Sequence, residues 1–317
     1  VVHVHRTTLP LPQPFELPVL LLGHGWVALP PHHWPGGDSP YRTVLRLGAQ
    51  VVDAELRPRR RSLALSLHAA RSLPARAISA ARAQLAHALR LGDDLEPFWT
   101  QCRRSQHLRW AARRGAGRLL RSPTVFEDLL KLLFTTNTTW SGTTAMTRNL
   151  VAAFGPAAPS GARAFPTPAE CPRDERTWRA VVRVGYRARA CIELCERFAT
   201  GALTDDHFLD PGLPTADLRR RLLALDGFGP YAAGQAMRLF GRYDDLALDS
   251  WCRARIAELA GRRRAPADGA IGRRYAAFGE FAGLALWLEL TAEWHGERPR
   301  PPAARAGKNP APGTSWW

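Results

Sequence analysis

Residues 225–236, L-D-G-F-G-P-Y-A-A-G-Q-A, set two glycines one residue apart, followed by a proline, between two segments of helical pattern. By itself the stretch reads two ways. A short glycine-containing connection is the usual join between neighbouring helices. The same join, with no side chains at Gly227 and Gly229, also lets backbone amides and the N-terminus of a following helix approach a phosphate oxygen. Upstream, Thr215 suits the cap of a helix whose Leu218, Leu222 and Leu225 share one face. Downstream, Pro230 suits the first position of a helix that turns Ala233, Met237 and Phe240 inward and ends at Gly241. Residues 215–241 are therefore a helix, a hairpin and a helix, and the neighbouring sequence decides what the hairpin grips.

The chain has 317 residues, 45% of them apolar, enough to bury a sizeable core and to suggest two domains. Its net charge of +16 is carried almost entirely by arginine, since the only lysines are Lys131 and Lys308. That balance points to a polyanionic partner. No apolar run approaches the roughly 18 residues of a spanning helix, so no membrane partner is expected. The opening VVHVHRTTLPLPQP has none of the regions of a secretory signal, and the expected location is cytoplasmic, with the nucleoid. Arginine in place of lysine suggests a GC-rich bacterial genome. Cys191 and Cys195, one helical turn apart, fit a buried stripe, and the five cysteines show no paired metal-ligand spacing. His24, His32 and His33 likewise lack a carboxylate or cysteine at ligand spacing and read as surface or pocket-edge residues; no zinc site is expected.

Along the chain, YRTVLRLG (41–48), AQVVDAEL (49–56) and SLALSLHA (62–69) alternate as strands of an antiparallel sheet. From Pro74 onward the pattern is mostly helical. Ser122 suits an N-cap with Pro123 in the first turn, and Glu127 and Asp128 lie near the positive end of that helix. A helix from about Ser141 to Phe154 stops at Gly155–Pro156. Another begins near Glu175, is interrupted around Gly185 and resumes through Cys191 to Phe198. The expected organisation is α+β: an N-terminal antiparallel β domain with a helix at 1–92, a helical region at 93–295, and a tail at 296–317. The tail is rich in Pro, Ala and Arg, ends in Trp316–Trp317, and reads as disordered.

Beyond the hairpin comes RYDDLALDSWCRARI. Asp249 follows an apolar triplet and precedes a helix, so its plain reading is an N-cap. The pattern LxGxGxxxA, followed by a loop (242–250) and an aspartate about twenty residues on, resembles the helix-hairpin-helix (HhH-GPD) DNA glycosylase superfamily. GRLLRSPTVFEDLLKLLFTTNTTWSGTTAMTRNLVAAFG (117–155), the FPTP that follows it and VGYRARACIELCERFA (184–199) are similar to blocks of the 8-oxoguanine glycosylase branch. FGEFAGLALWLELTAEW (278–294) is closer to the bacterial alkylpurine (3-methyladenine) branch. LLLGHGWVALPP sits where both branches carry a strand, in an N-terminal TBP-like sheet domain.

The resemblance implies two helical subdomains and a base-excision repair enzyme that acts as a monomer on double-stranded DNA containing a damaged base. Asp249 takes the position of the catalytic aspartate. In bifunctional members a lysine two residues after the second hairpin glycine attacks the sugar; here that residue is Tyr231, so an amine-based lyase lacks its nucleophile and a monofunctional glycosylase is expected. Gly227, Phe228, Gly229, Pro230 and Tyr231 fall on the phosphate-binding hairpin. Asn137 falls on the residue that plugs the gap left by a flipped base, and Tyr186 and Arg187 on those that wedge the stack and contact the opposite base. Asn137 also reads as a cap, Tyr186 as core and Arg187 as a phosphate contact. The carbonyls of Leu223, Leu225 and Phe228 match positions that hold a monovalent cation, K+ or Na+, in a structural role. Only Cys252 follows Asp249, so no iron-sulfur cluster is expected.

The base pocket implied is Tyr231, Gln235, Trp287 and His24. Three departures argue against the 8-oxoguanine reader: Gln235 where that branch has cysteine, Gly283 where it has glutamine, and Gly142 where it has arginine. Trp287, Trp294 and Tyr231 offer aromatic faces for an electron-poor base, although Trp294 reads better as core. An alkylated purine is the expected substrate, with an oxidised purine, or a damage-binding protein without catalysis, as alternatives. Of the arginine runs 59–61, 219–221 and 262–264, the second lies on the hairpin's first helix and is the best phosphate candidate.

Overall fold

In the computed structural model, which describes residues 2–297, the alternating segments form β2 (Tyr41–Leu47), β3 (Gln50–Arg59) and β4 (Ser62–Ala69), joined by β1 (His3–Pro10). All pairs are antiparallel and the spatial order is β1-β4-β3-β2. In β4, Leu63, Leu65, Leu67 and Ala69 turn inward while Ser62, Ala64, Ser66 and His68 stay half-exposed, which is the period of two that the sequence shows. β1 carries no such pattern. Only Leu9 of its eight residues is buried, because it is an outer strand lying over β4.

The segment LLLGHGWVALPP is not a strand. Leu17–Leu21 forms a short helix, α1, with Pro18 in its first turn, and Gly25–Ala28 a 3-10 turn. An unbroken apolar run such as LPVLLL has no period to separate helix from strand. α2 (Ala75–Ala88) then packs Ala81, Leu85 and Ala88 beneath the sheet.

The remaining chain is helical, in the order α3 (Glu96–Arg104), α4 (Arg109–Arg114), α5 (Val125–Thr135), α6 (Trp140–Phe154), α7 (Glu175–Thr177), α8 (Ala188–Ala199), α9 (Asp206–Leu209), α10 (Thr215–Leu223), α11 (Pro230–Leu239), α12 (Ser250–Leu259), α13 (Asp268–Tyr275) and α14 (Ala282–Leu290). The expected interruption near Gly185 is a π-helical turn at Trp178–Val182, closed by Arg183 with a left-handed backbone. Two caps move from their expected positions. Thr124, not Ser122, caps α5, its hydroxyl accepting from the Glu127 amide at 3.3 Å. Ser122 instead gives its amide to Asp128 Oδ1 (2.9 Å) and accepts at its hydroxyl from Lys131 Nζ (3.2 Å). Pro214 occupies the cap of α10, and Thr215 is already helical.

The helices pack in two groups, α5, α6, α8, α10 and α11 in one, and α3, α4, α12, α13 and α14 in the other. The loop after α11 connects them, and α12 begins at its far end. The main apolar core draws on residues from Leu9 to Ala292, and Val44, Ala158 and Ala164 form a small separate cluster. α5 lies at the centre of the main core with every residue from Val125 to Phe134 buried. No described helix is long and apolar enough to cross a membrane. Of the tail, only Gly296 and Glu297 are among the described residues; Lys308, Trp316 and Trp317 lie outside them.

Candidate active site

Asp249 stands at the junction of the two helical groups as the N-cap of α12, with Oδ1 accepting from the Cys252 amide at 2.6 Å. The N-cap reading is therefore correct as geometry. It also fixes the carboxylate: one oxygen is tied to the helix end while Oδ2 has no hydrogen-bond partner among the described residues. The carboxylate is half-buried. Two glycines seat the preceding loop, Gly283, noted in the sequence only as a departure, and Gly234, which carries no sequence signal. A Cβ on Gly234 of α11 would meet the Ala247 Cβ at 2.7 Å, and one on Gly283 of α14 would meet the Asp245 carbonyl oxygen at 2.1 Å. The Gly283 amide donates to the Tyr243 carbonyl at 2.6 Å. The loop is thus clamped between the helices, with Ala247 at φ +47°, and Asp249 is delivered from a rigid seat. This also explains the departure at Gly283: a longer side chain there would collide with the backbone.

Facing Asp249 is the inner side of α11, where Tyr231, Gln235 and Arg238 recur at helical spacing. Burial raises the Tyr231 hydroxyl above the usual phenol range, and the charge of Asp249 pushes the same way. Arg238 is 3% exposed. It donates to Gln235 Oε1 at 2.9 Å and to the Leu246 carbonyl at 3.0 Å, and its guanidinium lies 4.6 Å from the centre of a Trp287 ring. Its Nε–H is buried and has no partner.

Trp287 donates to the Gly23 carbonyl at 2.7 Å, tying α14 to the N-terminal segment. Next to it, His24 Nε2 is 2.5 Å from the Leu120 carbonyl, which requires the proton on that nitrogen. Burial holds His24 neutral by lowering its pKa to about 3, and the Arg238 charge acts in the same direction. His24 is therefore a fixed, uncharged group beside the residue that anchors Trp287. Trp251, Trp287 and Trp294 form a triangle with ring centres 5.6–5.8 Å apart. Trp294 is 41% exposed, which corrects the expectation that it is core: the 3-10 turn Ala292–His295 keeps its ring at the surface. Trp251, two residues after Asp249 and 40% exposed, was missed because a lone tryptophan in a helix without a clear apolar face gives no separate signal.

The hairpin beside this pocket has the expected form. Gly227 has φ +77°, and a Cβ there would meet Leu133 of α5 at 2.6 Å, so turn geometry and close packing both require glycine. Phe228 is buried and anchors the turn, whereas Gly227, Gly229 and Pro230 are exposed, with open space around Gly229. The Leu225 carbonyl accepts from the Phe228 amide at 3.1 Å and keeps a second lone pair. The carbonyls of Leu223 and Phe228 belong to the same turn.

Asn137, Tyr186 and Arg187 come together on one rim. Asn137 is exposed with φ +44°, and its Nδ2 donates to the Tyr186 hydroxyl at 3.2 Å. Tyr186 is 63% exposed and is not a core tyrosine. Arg187 differs from its expected role. It is buried and donates to the carbonyls of Thr136, Asn137 and Val184 and to the Thr136 hydroxyl, so its guanidinium braces the Asn137 turn instead of projecting outward. The arginine run at 219–221 is also largely engaged: Arg219 pairs with Asp245 and Arg221 donates to the His207 carbonyl at 2.7 Å. Arg220, paired at its tip with Asp217, and Arg221 stay exposed. Lys131 is fully buried against Glu127, with Nζ to Oε1 at 2.6 Å, and cannot reach a sugar at this surface.

No family model matches the chain, and no curated protein matches its sequence. Solved structures do match its fold. The 3-methyladenine DNA-glycosylase from Archaeoglobus fulgidus superposes with a TM-score of 0.71 at 17% identity, over 92% of this chain and 98% of that one. MBOgg1 in complex with a low-affinity DNA ligand gives 0.69 at 20% identity, over 94% and 100%. The apo 8-oxoguanine glycosylase/lyase of Clostridium acetobutylicum gives 0.68 at 18% identity, over 92% and 98%. The chain has the α+β fold of these structures along nearly its whole length, as the hairpin and its flanking blocks led one to expect.

Proposed function

We propose that this protein is a monofunctional DNA glycosylase that flips a damaged purine out of duplex DNA, hydrolyses its N-glycosidic bond and leaves the strand uncut. The observation that carries this reading is the seat of Asp249: a carboxylate with one free oxygen, clamped by Gly234 and Gly283, facing Tyr231 at the position where a lyase needs an amine. Two structures of the same fold, from Archaeoglobus fulgidus and Clostridium acetobutylicum, bear glycosylase names, which supports the reaction class.

Breaking an N-glycosidic bond by hydrolysis develops positive charge on the sugar. A fixed carboxylate in a water-poor site stabilises that charge and orients the attacking water. Oδ2 of Asp249 is the atom available for both tasks. The exposed amides around Gly229 and the N-terminus of α11 grip a phosphate without regard to sequence, and a monovalent cation on the carbonyls of Leu223, Leu225 and Phe228 would add positive charge there. Asn137, held by Tyr186 and Arg187, fills the vacated stack, which offsets the few kcal/mol, roughly, that unpairing costs.

The test is Asp249→Asn. Base release from damaged duplex is expected to fall on the order of 10³-fold while duplex affinity stays within threefold. A damage-binding protein without catalysis would bind equally and release nothing even as wild type. Undiminished release by Asp249→Asn would place the catalytic group elsewhere.

A further inference from the structure

We infer that Arg238 and Gln235 are the residues that read the flipped base, and that they select an electrically neutral base offering carbonyl oxygens, such as an oxidised or deaminated purine, over the cation of an N-alkylated purine. The inference rests on the glycosylase reading and names the substrate class for its pocket.

The first observation is the direction of the hydrogen bonds. Arginine has donors and no acceptor, so the Gln235 atom 2.9 Å from Arg238 is necessarily the amide oxygen. Gln235 is therefore held with its NH2 group free to donate. Arg238 adds its own buried Nε–H, which no protein atom accepts. A buried donor without a partner is costly unless something else satisfies it. Both groups lie on the face of α11 that also carries Tyr231, and that face looks toward Asp249, whose charge acts on Tyr231 and Arg238 alike. A base entering here meets an edge that gives protons. Carbonyl oxygens and an unprotonated ring nitrogen complement such an edge, whereas an amino edge leaves both donors unpaired.

The second observation is charge. The Arg238 guanidinium occupies a face of Trp287 at 4.6 Å, so the aromatic surface that could have stacked on a cationic base already holds a cation. Arginine stays ionised in a protein interior. The guanidinium disfavours a second positive charge on that ring, an effect that the Asp249 carboxylate facing the same helix reduces without removing the cation from the aromatic face. Hydrogen-bond direction, reinforced by the occupied aromatic face, thus shifts the choice from an alkylated purine toward its alternative.

The experiment compares single-turnover release from four duplexes of one sequence, carrying 8-oxoguanine, hypoxanthine, 7-methylguanine or 3-methyladenine. The wild type is expected to release at least one neutral base ten times faster than either methylated base. Arg238→Gln should lower neutral-base release about a hundredfold and raise the ratio of cationic to neutral release. A defect of folding alone would lower both together and leave that ratio unchanged. Gln235→Glu, which turns a donor into an acceptor at a half-buried position, is a second variant expected to lower neutral-base release at least tenfold. Faster wild-type release of the methylated bases, or an unchanged ratio in both variants, overturns the inference while leaving the glycosylase intact. Release of none of the four with duplex binding preserved overturns the glycosylase reading and the inference with it.

Discussion

The rim and the pocket of this site are built on opposite principles. At the rim, Gly229, Pro230, Asn137 and Tyr186 are exposed and work through backbone amides or a projecting side chain. Around Asp249, Arg238, His24 and Trp287 are buried and each is tied to a carbonyl outside its own element, Leu246 for Arg238, Leu120 for His24 and Gly23 for Trp287, while Arg238 also holds Gln235 one turn away on its own helix. The rim can be loose because a phosphate is the same at every step of the duplex. The pocket is rigid because discrimination among bases depends on which donors are left unpaired.

That contrast breaks most visibly at the clamp. Gly283→Ala puts a methyl against the Asp245 carbonyl, and the backbone must move to admit it. We expect a loss of stability on the order of 2–4 kcal/mol in urea unfolding and base release reduced more than a hundredfold in the folded fraction, since a displacement of about 1 Å is worth that much. Near-normal release by this variant would show that Asp249 does not depend on its seat. At the hairpin, Gly227→Ala strains a positive φ and presses on Leu133. It should cost about 1–3 kcal/mol of stability and weaken duplex binding tenfold or more, with little change in the ratio of bases released.

A smaller effect separates the pocket wall from the rim by pH. The folded-state pKa of His24 is depressed to about 3, whereas the unfolded residue titrates near 6.5. Its contribution is therefore complete above pH 6.5 and declines as the pH falls toward 3. Comparing unfolding at pH 7.5 and pH 5, His24→Asn should lose up to about 2 kcal/mol less on acidification than the wild type. Identical pH slopes would contradict a neutral buried His24. The smallest expected effect is at the rim itself. Asn137→Ala removes the plug but not the turn, which Arg187 braces, and release should fall about tenfold, with about 1 kcal/mol or less of stability lost to the positive φ that alanine tolerates poorly.

How far the sequence was legible follows the same division. The rim is local: GxG, NTT and GYR each occupy one short segment, and their positions follow from spacing and resemblance. So do the alternating strands β2, β3 and β4. The pocket is not local. Gly234, Gly283, Trp251 and Arg238 matter through contacts among α11, α12, α14 and the loop between them, and no period or spacing within one element marks them. Arg238 looked like one of many arginines in a basic chain. β1, an exposed outer strand, has no apolar period, and the strand expected at LLLGHGWVALPP rests on the resemblance alone, since the unbroken apolar run LPVLLL separates neither helix from strand.

The central claim is that Asp249 releases a base and that Tyr231, standing where an amine would cut, lets the reaction stop there. It is tested by incubating pure protein with duplex carrying the base it releases, then splitting the sample between neutral and alkaline quench, with borohydride present in a parallel reaction. The expected result is strand breaks only after alkali, no trapped adduct, and loss of both signals in Asp249→Asn. Rapid breaks at neutral pH with a borohydride-trapped adduct would contradict it.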